Sequence, residues 1–115
     1  MPLDPVATNP GLYTVLFEND RVRVLEYRDQ PGDESVPHEH PDSVMITLSA
    51  FQRRLSTGER SVDVELSQHQ ARWLAAQTHS GLNTGATETH TIFVELKEPS
   101  SAQLSDEAPL GPQGG

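Results

Sequence analysis

Apolar and polar residues alternate at period two through most of this chain. Val62, Val64 and Leu66 alternate with Ser61, Asp63 and Glu65, the signature of a strand with one face buried and the other in water. Val44, Ile46 and Leu48 repeat the pattern, and so do Ile92, Val94 and Leu96. The segment RVRVLEY starts alike at Val22 and Val24, then changes phase at Leu25 and Tyr27. A β-bulge, or burial on both faces, accounts for such a shift. Turn-forming clusters punctuate the runs: END at 18–20, QPGDE at 30–34, STGE at 56–59 and NTG at 83–85. Propensity alone allows a short helix in SQHQARWLAAQ, but its neighbours are strand-like and no 3.6-residue stripe extends beyond it. Many short strands, evenly spaced turns and no long helix predict an all-β domain. A sandwich or a barrel satisfies that pattern, and either can hold a pocket between its sheets.

The ends break the alternation. Residues 1–11, rich in proline, read as an irregular arm, and residues 98–115, rich in Ser, Pro and Gly, read as a disordered tail. The strand pattern places the domain at 12–97, and the 115-residue chain is long enough for a single core. There is no cysteine, which excludes disulfides, thiolate metal sites and cysteine nucleophiles. The amino terminus lacks the basic-then-apolar pattern of a signal peptide, and no apolar run is long enough to span a bilayer. A soluble, cytoplasmic protein is the expectation. Seventeen acidic against eight basic residues give a formal charge of −9. That surface repels phosphate backbones and anionic lipid headgroups, and the arginines form no stripe, so neither nucleic acid nor membrane is expected as a partner.

The chemistry concentrates in the histidines, of which there are five. His38 and His40 flank Glu39 between Pro37 and Pro41. On a strand, side chains two apart share a face with Cα atoms about 6.6 Å apart, which allows two imidazoles to converge on one ion at roughly 2.1 Å. The alternative is a pair of solvated side chains beside a turn. His79, in THSGLNTG, follows His40 by 39 residues, far enough to sit on another strand. Three imidazoles on one inner face would leave positions open for water or substrate, and neutral imidazole suits zinc, iron, nickel and copper. Asn83 and Gly85 suit the turn better than a metal.

These residues resemble the small single-domain cupins, a family of double-stranded β-helix (jelly-roll) barrels. The first cupin motif opens with a glycine, five residues and His-x-His, and here Gly32, DESVP, His38, Glu39 and His40 match it. The second contains Pro-x-Gly-x-x-His-x-x-x-Asn. His79 and Asn83 fall on its His and Asn, while Leu74 and Ala76 replace its Pro and Gly. The resemblance spans Val15 to Lys97 and implies a divalent transition metal held by His38, His40 and His79. Fe(II) is favoured, with Ni, Mn and Zn as alternatives. The glutamate that completes the family site is missing, since Val44 and Met45 stand there. Asp42 is the nearest acid and is carried as a candidate fourth ligand. Met45 suits the core better than the metal.

His90 shares parity with Ile92, Val94 and Leu96, which places it on the inner face of the last strand as a candidate base or as a partner to a metal ligand. Glu88 has the same parity, Gln77 shares that of His79, and His69 reads as surface. Trp73 and Phe93 read as core or pocket wall. The resemblance implies an iron-dependent dioxygenase-type oxidoreductase acting on a small chelating substrate. The alternatives are a non-catalytic module that binds a metal or small molecule, and a sugar- or small-acid isomerase-like cupin. A homodimer is also implied, through an open sheet edge at 13–17 or through the arm.

Overall fold

A computed structural model of the chain describes residues 3–97; the tail expected at 98–115 lies outside them. The described residues form nine strands and one helical turn: α1 (Pro5–Thr8), β1 (Tyr13–Glu18), β2 (Val22–Asp29), β3 (His38–His40), β4 (Ser43–Thr47), β5 (Phe51–Thr57), β6 (Arg60–Leu66), β7 (Ala71–Leu74), β8 (Gln77–Asn83) and β9 (Thr89–Leu96). They make two antiparallel sheets, one ordered β1-β2-β9-β4-β7 and the other β3-β8-β5-β6. This is the all-β, double-stranded β-helix predicted. The glycines of two predicted turns, Gly32 and Gly58, adopt φ of 89° and 55°, which side chains rarely tolerate. The ambiguous SQHQARWLAAQ resolves into a turn followed by the edge strand β7.

The strand positions agree with the alternation, and on β6 Val64 and Leu66 face inward as it predicts, but on β9 and β4 the faces are exchanged. On β9 the buried side chains are Thr89, Thr91, Phe93 and Glu95, while His90, Ile92 and Val94 are half-buried on the opposite face. On β4 the same inversion buries Ser43 and Thr47. Val24, Val94, Val44 and Trp73 lie in register across four strands on the outside of the five-stranded sheet. The phase change in β2 reflects partial burial of both faces. Its pairing with β9 runs unbroken from Val22 to Asp29, and the irregularity lies instead in β1, between Val15 and Phe17.

Inside, Leu25, Tyr13, Tyr27 and Phe93 form the buried apolar cluster. Beside them sits a buried polar network. Arg53 donates to Asp29 and Thr89, Tyr27 donates to Asp29, and the Asn83 amide donates to Asp29 at 3.0 Å. The Asn83 amide oxygen also accepts from Gly85 N at 3.0 Å, so this residue serves both the turn and the network. Gly81 makes room for Arg53, because a Cβ there would lie 2.5 Å from the guanidinium.

The arm carries one helical turn and packs on the barrel. Asp4 caps α1 and pairs with Arg23 at 2.6 Å, Leu3 O accepts from Glu39 N, and Asn9 is buried against Val36. The strand expected to be open, β1, does stand at a sheet edge.

Candidate metal centre

Strands β3 and β8 bring the three histidines together. Period two puts His38 and His40 on one side of β3, and antiparallel pairing sets His79 directly opposite His38. The ring centroids are 4.8 Å apart for His38–His40 and His38–His79, and 5.1 Å for His40–His79. One nitrogen from each ring lies within 4.8 Å of the others, and all three residues are buried. Ligands to one ion at roughly 2.1 Å lie no more than about 4.2 Å apart, so closure on an ion asks for small side-chain movements.

The hydrogen bonds set the tautomer of every ring. His38 Nδ1 donates to Val36 O at 2.8 Å, a carbonyl that can only accept. His40 Nδ1 donates to the Glu95 carboxylate at 3.2 Å. His79 Nδ1 donates to Gln77 Oε1 at 2.7 Å, and the Gln77 amide is oriented by its own bond to Ala75 O. All three protons therefore sit on Nδ1, leaving three Nε2 lone pairs for the centre, the arrangement that orients metal-bound imidazoles.

The hydroxyl of Tyr13 stands 3.2 Å from His38 Nε2 and 3.3 Å from His40 Nε2. Burial raises the pKa of this phenol well above its ordinary value, so the group keeps its proton. One O–H can be donated to only one of the two nitrogens. The centre thus holds more buried lone pairs than protons to satisfy them, an imbalance that a cation relieves. On that observation the residues present fit a metal ion, with His38, His40 and His79 as its ligands. A divalent ion there supplies Lewis acidity toward a chelating substrate, and iron adds redox chemistry with dioxygen.

Two candidate site residues are not brought to the centre. Asp42 is exposed, and its carboxylate accepts from Ala76 N at 2.8 Å, because the chain bends at Asp42 before β4 begins. His90 lies on the outer face of β9, where its Nε2 meets Glu26 at 2.7 Å. Glu88, expected on the same face, pairs with Arg28 in solvent, and His69 is exposed as expected. Two residues at the centre went unremarked in the sequence. Glu95, held by Arg23 at 2.9 Å, follows from the true parity of β9. Tyr13 opens β1, and nothing in its local pattern marks it.

No family model and no curated protein matches the chain. Among solved structures, a cupin domain from Bordetella pertussis Tohama I is 31% identical with a TM-score of 0.70, over 75% of this chain and 92% of that one. The chain is a cupin. A double-stranded β-helix protein from Klebsiella pneumoniae (19% identity, TM-score 0.60, 74% of this chain and 75% of that one) shares the fold. So does an RmlC-like cupin from Methanocaldococcus jannaschii (9% identity, TM-score 0.60, 74% and 78%). The cupin interior contains a cavity of about 250 Å³, with His38 and His79 in its wall and Tyr13 beside them.

Burial lowers the pKa of His38 from 6.5 to about 4 and that of His79 to about 3, the neighbouring imidazoles adding to the effect. Both rings bind protons less readily in the folded state than in the unfolded one. The resulting stability of the metal-free cupin is complete above pH 6.5 and is lost as pH falls toward 4 and then 3. Urea unfolding of metal-free protein is expected to show a lower midpoint at pH 5 than at pH 7. Equal midpoints would contradict neutral, buried rings.

Proposed function

We propose that this cupin is a divalent-metal enzyme of the oxidoreductase class, of dioxygenase type, acting on a small chelating substrate with Fe(II) as its metal. The observation that carries the reading is the meeting of two features. One nitrogen from each of three buried imidazoles lies within 4.8 Å of the others, and His38 and His79 also face a cavity with room for a small molecule. No protein carboxylate stands among these ligands, so a bound ion keeps its full double charge and open positions for an anionic chelate. The interior keeps an open cavity of about 250 Å³ beside these histidines, which supports a ligand-binding interior over a closed structural one.

The residues around the centre have separable tasks. Glu95 orients His40, Gln77 orients His79, and the Val36 carbonyl orients His38. Tyr13 offers the one O–H at the centre, and Phe93 stacks on His40 at 5.0 Å between centroids, shielding that ring from water. The test begins with protein isolated anaerobically and supplied separately with Fe(II), Mn, Ni and Zn. One metal per chain is expected, with oxygen uptake only for the iron form in the presence of a chelating acid, β-diketone or thiol. Substoichiometric metal in every case would remove the metal centre. Full loading without oxygen uptake across these substrates would remove the oxidoreductase reading.

A further inference from the structure

Seventeen carboxylates against eight basic side chains make this an acidic chain. Yet no carboxylate lines the cavity, and the charged residues in its wall, apart from the histidines, are Arg53 and Arg72. Arg53 is already matched by Asp29, buried behind it. Arg72 forms no ion pair among the described residues. It lies on the edge strand β7, exposed but lining the cavity, and therefore stands at the mouth. Its register is the inner row Leu25, Phe93, Met45, Arg72, which leads directly to the ring stacked on His40. Across two strand spacings, Arg72 is about 10 Å from Phe93 along the sheet.

Two further features describe what would fill this space. Apart from Arg53, which is paired with Asp29, the wall opposite is hydrocarbon, from Phe51, Leu55, Val64 and Leu66 on β5 and β6. Within the cavity wall, Thr91 Oγ1 is buried without a hydrogen-bond partner, on a residue only 1% exposed. An orphaned buried hydroxyl calls for a polar group from elsewhere. A cation without a partner, an apolar wall and an unsatisfied hydroxyl together describe an amphipathic anion. At about 30 Å³ per water, a cavity of about 250 Å³ holds a molecule of modest size.

We propose that the cavity takes a small monocarboxylate with a short hydrocarbon body, and that Arg72 at the mouth selects its charge. This rests on the cavity being the ligand side of the metal centre proposed above. In the free protein the exposed guanidinium is hydrated; at the edge of an apolar cavity, a charge-assisted pair with carboxylate gains from the water the ligand displaces. The same acid-free lining gives a neutral analogue no equivalent contact.

The test is calorimetric titration of the full chain, metal-free and zinc-loaded, with 4-methylpentanoate and with its neutral isostere 4-methylpentanamide. The acid is expected to bind about tenfold more tightly than the amide in metal-free protein, with the preference shrinking as salt rises. Arg72→Met, an exposed position whose fold circular dichroism can verify, should erase that preference, and Arg72→Lys should restore part of it. Equal binding of acid and amide, binding of neither, or a preference that survives Arg72→Met in metal-free protein would each overturn the proposal. Failure to take up zinc overturns the metal reading instead, and the metal-free comparison still decides the anion.

Discussion

A His79→Ala protein, isolated anaerobically and resupplied with iron, is expected to come through desalting nearly metal-free, whereas the parent retains one ion per chain. His38 and His40 remain on β3 and still offer two nitrogens, but the third comes from the facing strand and closes the site across the sheet. Loss of an outer partner of a metal-bound histidine weakens binding about 10–100-fold; loss of a ligand itself should exceed that range. Metal analysis and competition with a chelator measure the effect, and circular dichroism confirms the fold. His90→Ala and Asp42→Asn are the informative controls. His90 meets Glu26 outside the barrel and Asp42 holds a backbone amide, so both variants should keep their metal. Unchanged metal content in His79→Ala would refute the three-histidine site.

Arg53→Met is expected to destabilise the protein by about 3–5 kcal/mol, because it strands the Asp29 carboxylate in the interior. Asp29 is 3% exposed and Arg53 7%, so neither charge recovers its hydration while the fold persists. Tyr27 and Asn83 would still donate to Asp29, which softens the loss without supplying a charge. Typical domain stabilities are about 5–15 kcal/mol, so the variant should unfold at much lower urea. Adding Asp29→Leu should recover part of the loss by removing the stranded charge. A shift below about 1 kcal/mol would mean that water reaches the pair. The same network sets the cavity floor, where the guanidinium carbon lies 5.1 Å from the Tyr27 ring centroid and Gly81 leaves it space.

How far the site was legible depends on how local each signal was. His38 and His40 share a face because they are two apart on a strand, a relation independent of the rest of the fold. His79 was recoverable from its distance and order, and the motif likeness agreed. Proximity along the chain points to Asp42, but the bend at that residue carries its carboxylate to Ala76 N. His90, Ile92, Val94 and Leu96 were assigned to the interior by polarity, and that rule fails here for a physical reason. The barrel encloses the three-histidine cluster and a charged network, so Thr89 and Glu95 point inward with their hydrogen-bonding groups. The valines and isoleucines of the same strands are left outside, half-covered by one another across the sheet.

The sequence by itself determined the local geometry: strands from period-two alternation, turns at Gly32 and Gly58, and two imidazoles on one face of β3. Tertiary structure alone decided which face of each strand is the interior, and with it the roles of Tyr13, Glu95, Arg53 and Arg72. Alternation defines two faces, but only the packing of one sheet on the other says which of them water leaves.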